Sequence, residues 1–335
     1  MAIRRVFAAA ITALLLLELG SACSNGACKV GDDCSSGSDC GPGLYCLSCE
    51  VEGSKCVRTT ATNQFSLLNN SLPFNKYAFL TTHNAFAIED GQPRLTFTNQ
   101  EDNITQQLND GVRALMLDIY DFEGDIWLCH SFGGQCYDYT KFEPAINTLR
   151  EIEAFMSRNP SEIVTIILED YVKTPKGLTK VFTNAGLMKY WFPLSKMPKN
   201  GDGDDGMKDK CFNRGESSVL SDTSKSLILV NYFRSVPMKL LACVENSVAL
   251  ADMLHTCHAA AGNRWANFVA VDYYKRSKGG GAFEATDLLN GELLCGCNDV
   301  HSCVVSSFIS EWCKMYTLVR NMLEEKPSEI KSINM

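Results

Sequence analysis

Tyr77-Ala-Phe-Leu-Thr-Thr-His83-Asn84 is an apolar run that ends abruptly on a histidine and an amide. Aromatic, aliphatic and β-branched side chains in one short block read as a buried strand, and the polar pair falls where that strand must stop. The pattern recurs. Residues 114–117 run into Asp118-Ile-Tyr-Asp121, residues 125–128 into Cys129-His130-Ser131, and residues 163–168 into Glu169-Asp170. Residues 226–230 run into Asn231, and 268–271 into Asp272. Strands are therefore expected at 77–82, 114–119, 126–129, 163–168, 226–230 and 268–271. Helical segments lie between them: 142–158, where Ile146, Leu149, Ile152, Phe155 and Met156 recur at helical spacing, and 247–261. Apolar strands alternating with amphipathic helices imply an α/β protein with a parallel sheet buried on both faces. Polar groups gathered after successive strands are the arrangement of a closed (β/α) barrel, whose site sits at the C-terminal strand ends. A doubly wound open sheet would focus its site at one switch point and usually carries a glycine-rich phosphate turn. GxxxxGK[ST] does not occur, and the one GxGxxG match, Gly201-Asp-Gly-Asp-Asp-Gly206, does not follow an apolar strand run, so the barrel is the expected fold.

The N-terminus bears on compartment. Arg4-Arg5 precedes an apolar run at 6–17, and Gly20-Ser21-Ala22 supplies small residues for cleavage, so residues 1–22 read as a secretory signal peptide. Sixteen cysteines agree, because such density persists as disulfides in an oxidising compartment. Asn69-Asn70-Ser71 and Asn103-Ile104-Thr105 are glycosylation sequons usable on that route. Residues 23–58 hold seven of the cysteines among Gly, Ser and Asp, with few aliphatic residues, and read as a disulfide-stapled module. The Cys46-Leu-Ser-Cys49 spacing invites a zinc or redox reading, but without a nearby histidine disulfides are the better expectation. Seven is odd, so one cysteine is left to pair with the main domain, which contributes nine more. Residues 59–75 read as a polar linker, 76–305 as the barrel domain and 306–335 as a C-terminal tail. That tail lacks the apolar run of about ten to twenty residues that lipid anchoring demands, so a soluble secreted form is expected. The net charge of −8 argues against nucleic acid and against a general basic patch, while leaving room for a local phosphate pocket.

Imidazole is the side chain best suited to give and take protons near neutral pH. His83 and His130, both placed after strands and with an acid nearby, point to one proton taken and another delivered. Phosphodiester cleavage makes those demands, and adds positive charge for the non-bridging oxygens. Asp118, Glu169 and the side-chain carbonyl of Asn84 are hard oxygen ligands suited to Ca²⁺ or Mg²⁺. His255, His258 and His301 read as structural or surface residues, and Arg113 as a structural salt-bridge partner. Lys275 and Arg276, just after a strand end, are better-placed cations for a substrate phosphate.

Four segments together resemble the X region of phosphatidylinositol-specific phospholipase C. They are Leu80-Thr-Thr-His-Asn84, Gly111-Val-Arg-Ala-Leu-Met-Leu-Asp118, Leu128-Cys-His-Ser131 and Asn159-Pro-Ser-Glu-Ile-Val-Thr-Ile-Ile-Leu-Glu169. With Val269-Ala-Val-Asp-Tyr-Tyr-Lys-Arg-Ser277 and Gly279-Gly-Gly281, the chain is more closely similar to secreted plant proteins that carry one X domain behind a cysteine-rich leader. The resemblance implies a distorted TIM barrel of the phospholipase C-like phosphodiesterase type and a two-histidine mechanism. His83 would deprotonate the inositol 2-hydroxyl, His130 would protonate the departing diacylglycerol oxygen, and Asp272 would fix the tautomer of His83. The substrate is then a phospholipid or inositol phosphodiester, bound through Asn84, Asp118, Glu169 and Lys275. Calcium is the implied metal at Asn84, Asp118 and Glu169, and a monomer in peripheral contact with membrane is expected. Calcium-dependent members carry a further acid where this chain has Met116, and metal-independent bacterial members carry an arginine where it has Tyr120. Related plant sequences also carry several tens of residues at 198–207, so a barrel one strand short is expected there. A glycerophosphodiesterase or D-type phospholipase needs a Glu-x-Asp pair that Met116-Leu-Asp118 lacks. The remaining alternative is a secreted phospholipid- or inositol-binding protein without catalysis.

Overall fold

The computed structural model describes residues 23–50, 53–68, 72–192, 204–205, 211, 219–222, 227–305 and 313. Residues 1–22, expected to be a signal peptide, the sequon at Asn69, the tail apart from Cys313, and the join at 198–207 apart from Asp204–Asp205 lie outside them. Among the described residues no helix is long and apolar enough to cross a membrane.

The N-terminal module is an antiparallel hairpin, β1 (Leu44–Cys49) and β2 (Gly53–Arg58). Cys23–Cys28, Cys34–Cys46 and Cys40–Cys56 staple it internally, and Cys28, Cys40 and Cys56 are the buried centre of its small core. Cys46 and Cys49 stand three apart on one strand and so project from opposite faces. They can neither bridge each other nor hold one ion, and Cys49 instead bonds Cys243 of the main domain. Eight disulfides take up all sixteen cysteines.

The main domain contains β3 (Phe79–Thr82), β4 (Ala114–Phe122), β5 (Asp125–Cys129), β6 (Lys141–Pro144), β7 (Thr165–Tyr171), β8 (Asp204–Asp205), β9 (Leu229–Tyr232) and β10 (Phe268–Val271). Its helices are α1 (Gln64–Leu68), α2 (Ile104–Asn109), α3 (Ala145–Arg158), α4 (Gly177–Asn184), α5 (Lys239–Glu245), α6 (Val248–Ala260), α7 (Ala282–Cys295) and α8 (Ser302–Val305). Six strands form a parallel wall in the order β8-β9-β10-β3-β4-β7. In-register rows cross it: Phe79, Phe268 and Leu229 in one, Thr81, Ala270 and Asn231 in the next. Since strand side chains alternate between faces, Phe79, Ala114 and Phe268 share the inner face, where they cluster with Phe65 and Tyr77. Leu80, Leu115, Leu117, Val230, Val269 and Val271 point outward into the main core under the helices. Every residue of β3 and β10 is buried, the expected consequence of covering both faces. The architecture is a distorted (β/α) barrel of the TIM type. Among the described residues β7 has β4 as its neighbour and β8 has β9, and β8 is two residues long.

One strand differs from the sequence reading. β5 runs antiparallel to β4, and β6 antiparallel to β5, so both belong to a hairpin excursion and not to the parallel wall. The cause is local. β4 overshoots its parallel neighbours, and Glu123-Gly124, at φ +50° and +77°, reverse the chain in two residues. Two consecutive positive φ values match the right-handed strand twist of a tight hairpin. Glutamate at the first of these positions is uncommon, which hid the turn in the sequence.

Candidate active site

β7 occupies one edge of β4 from Ala114 to Tyr120. A strand has two edges, so β3, paired at Ala114 and Leu115, and β5, paired at Ile119 to Phe122, must share the other. β3 runs with β4 and β5 runs against it, so their C-terminal ends approach head to head in the gap beside Met116 to Asp118. His83 follows β3 and His130 follows β5. Topology alone therefore brings two histidines, 47 positions apart in the chain, to one place.

The two imidazoles are held differently. His83 Nδ1 lies 2.9 Å from Asp272 Oδ1, a contact that favours the Nδ1-protonated tautomer because a carboxylate only accepts. Asn99 Nδ2 donates to the same carboxylate oxygen at 2.9 Å. Phe233 stacks flat on the His83 ring, with centroids 3.5 Å apart and planes 4° from parallel, fixing its orientation. The backbone is fixed as well: His83 N donates to Val271 O at 3.1 Å, and Gln100 Nε2 donates to His83 O at 2.9 Å. His130 has no carboxylate partner among these contacts. Its Nδ1 donates to Phe97 O at 2.9 Å, its N–H to Thr140 O at 3.1 Å, and its carbonyl accepts from Thr96 Oγ1 at 2.6 Å. Cys129–Cys136 closes the loop that carries it. Burial holds the His130 imidazole below the usual histidine range. The Phe97 carbonyl opposes that shift, neighbouring His83 reinforces it, and Asp272 and Glu169 act more weakly to raise it.

Asp118 and Glu169 are direct partners across β4 and β7. Burial, then the Glu169 charge, pushes the Asp118 carboxyl well above the ordinary aspartate range. Tyr171 donates to Glu169 at 3.0 Å and stacks on Tyr120, with centroids 4.5 Å apart. Burial and Glu169 push the Tyr171 hydroxyl up to about 12. Asn84, buried and at φ +41°, lies against Asp118. With its amide nitrogen turned to the carboxylate it donates to both oxygens, at 3.1 and 3.2 Å. With its oxygen so turned, three oxygens gather on one side. Among the described residues no lysine or arginine pairs with Asp118 or Glu169. This donor set of two uncompensated carboxylates and an amide fits a hard divalent cation.

Lys275 departs from the sequence expectation. Its Nζ bonds Asp102 at 3.0 Å and Asp110 at 2.5 Å, and those bonds raise its pKa against the opposing effect of burial. Arg276 is likewise taken up by Glu101. The turn at Tyr273, φ +48°, breaks the strand alternation: Asp272 turns inward to His83, while Tyr274 and Lys275 both reach the acids around α2. Arg113 pairs with Glu162 at 2.8 Å, as expected of a structural cation. His255 and His258 pack on Trp265, and His301 bonds Asp299 at the surface. Three contributors went unseen in the sequence. Asn99 and the Phe97 carbonyl sit in a loop with no periodic signal. Phe233 was legible, because Leu229, Asn231 and Phe233 continue the inner-face alternation of β9 beyond its last residue.

Two neighbouring histidines and paired carboxylates thus gather at the strand ends of an α/β barrel, and comparison with known proteins gives its family. Residues 71–201 match the family model for the PI-PLC X region, PI-PLC X 1. A PI-PLC X domain-containing protein of Arabidopsis thaliana is 48% identical over 351 residues, covering 90% of this chain and 82% of that protein. An uncharacterized secreted protein of Arthroderma benhamiae is 27% identical over 154 residues, 42% of this chain and 32% of its own. Among solved structures, a mutant phosphatidylinositol-specific phospholipase C from Staphylococcus aureus overlays with a TM-score of 0.45 at 11% identity, over 67% of this chain and 96% of its own. The chain belongs to the PI-PLC X domain family.

Proposed function

We propose that the protein is a secreted phosphoric diester hydrolase of the phospholipase C type, acting on a phosphatidylinositol-like lipid or another inositol phosphodiester. The observation that carries this reading is the pair of converging imidazoles with opposite support, one backed by a carboxylate and one by a backbone carbonyl. Asp272 holds the Nδ1 proton of His83, so Nε2 takes the proton of the hydroxyl beside the phosphate. That oxygen bonds to phosphorus as the bond from phosphorus to the glycerol oxygen breaks. His130 Nε2 gives its proton to the departing oxygen, releasing diacylglycerol and leaving a cyclic inositol phosphate. Water can then open the ring with the two histidines in exchanged roles. Asn84, Asp118 and Glu169 would hold Ca²⁺, which when bound supplies positive charge to the non-bridging oxygens. Leu95, 79% exposed, and Phe132, 70% exposed, flank the His130 loop with Phe97 and offer apolar contact for a lipid surface. The disulfide density supports secretion.

The test is product analysis on purified, oxidised protein with a panel of phosphodiesters, with and without calcium. A cyclic inositol phosphate formed in a calcium-stimulated reaction supports the proposal. Free choline or glycerol phosphate would instead indicate a D-type or glycerophosphodiesterase reaction. Calorimetric binding of myo-inositol without hydrolysis of any substrate would leave a binding protein.

A further inference from the structure

The cysteine-rich module touches the barrel at a place with consequences for His83. Cys49 ends β1 and bonds Cys243 in α5, and both are fully buried. One turn beyond Cys243 stands Asn246, 2% exposed. Its Nδ2 donates to the carbonyl of Asp272 at 2.8 Å and to that of Tyr273 at 3.2 Å. Tyr273 sits at φ +48°, a left-handed backbone that L side chains rarely adopt unless their surroundings impose it. From the other side Tyr273 N donates to Asn99 O at 2.7 Å, and Asn99 is the residue that also bonds the Asp272 carboxylate. The turn that aims Asp272 is thus gripped by two asparagines, one of them directly after the helix tied to the module.

The grip continues along the loop that follows. Lys278 N donates to Cys243 O at 2.9 Å and to Ser247 Oγ at 3.0 Å. Gly279, at φ +131°, passes so close to the module that a Cβ there would lie 3.2 Å from the Cα of Gly31. Both segments flanking the Asp272 turn, 243–247 and 277–281, are therefore fixed against residues 31 and 49 of the module.

We propose that the cysteine-rich module braces the candidate catalytic pair: acting through Cys49–Cys243, it seats Asn246 as a positioning residue that fixes the turn directing Asp272 at His83. This rests on the reading of His83 and Asp272 as base and orienting acid, but it concerns their geometry and can be measured without turnover. A proton shared between an imidazole Nδ1 and a carboxylate gives a far-downfield proton NMR resonance, assignable by its absence in His83→Ala. In Asn246→Ala the resonance disappears or moves upfield, and kcat falls on the order of tenfold or more with KM little changed. Asn246→Asp, which accepts but does not donate, behaves alike. Cys49→Ala with Cys243→Ala, the other seven disulfides retained, shifts the resonance in the same direction. Should Asn246→Ala fail to fold, the disulfide variant decides by the same signal. An unchanged resonance in a folded variant overturns the proposal. A resonance that responds as expected in a protein that cleaves nothing sustains the brace and removes the catalytic reading instead.

Discussion

The two ends of the barrel are built from the same strands and could hardly differ more. Along the inner face of β3, Phe79 comes first, Thr81 next and His83 last; along β10 and its continuation the series is Phe268, Ala270, Asp272. The lower end is an aromatic plug in which Phe79 stacks on Phe74 and Phe268 at 5.0 and 5.4 Å, with Phe65 and Tyr77 around them. Among the described residues no buried side-chain polar atom of that aromatic plug lacks a partner, whereas the upper end holds several that do. Asn99 Oδ1, Ser131 Oγ, Asp272 Oδ2 and both polar atoms of Asn231 are buried without a hydrogen-bond partner. Each such group costs roughly 1–3 kcal/mol. A fold tolerates that where the groups await a ligand, provided burial elsewhere supplies the stability. The lower end stabilises the barrel, and the upper end is free to be polar.

Four substitutions or conditions press on this division. Replacing His83 or His130 by alanine carries the largest expected effect, a loss of turnover of about 10²–10⁴-fold with an unchanged thermal midpoint. Retained activity in either variant would remove the two-histidine assignment. Phe79→Ala, at the lower end of the same strand, should do the reverse. Denaturant unfolding would show about 3–5 kcal/mol of lost stability, with turnover per folded molecule preserved. A drop in turnover there without a drop in stability would break the contrast between the two ends.

The pH profile gives a smaller effect. His130 must be protonated to act as the acid, and burial lowers its pKa in the free protein. The protonated form is therefore lost at lower pH than for an exposed histidine. The alkaline limb of kcat/KM should fall with an apparent midpoint below about 6.5. A limb centred above that value would show that His130 is not the acid. Smallest of all is Lys275→Met. Because Asp102 and Asp110 already absorb that charge, substrate affinity and turnover per folded molecule should hold while stability declines. A raised KM with stability intact would return Lys275 to the substrate.

Much of the parallel wall was legible because apolar strands and amphipathic helices carry their own periods. β10 was read to the residue, β3 and β7 within a few positions, and α6 within one at each end. Reversal at Glu123-Gly124 was not, since the chain signals a hairpin most clearly through asparagine or aspartate before glycine. Lys275 misled for a related reason. A position just past a strand end says that a residue is near the site's level, whereas the direction of its side chain depends on the turn that follows. Tyr273 at φ +48° sets that direction.

By itself the sequence determined the residue types: two histidines and several acids at strand ends, an apolar run behind each, and cysteines enough to hold a module with almost no hydrophobic core. Local pattern suffices for that, because periodicity and side-chain chemistry are properties of neighbouring residues. Which of those residues meet was decided only by tertiary structure. His83 and His130 converge because two strands share one edge of a third and run in opposite senses. Cys49 reaches Cys243 across 194 positions because the module packs on the loop that positions Asp272. Pairings between distant segments depend on the edges, faces and free valences that packing leaves available, and no local stretch of the chain encodes them.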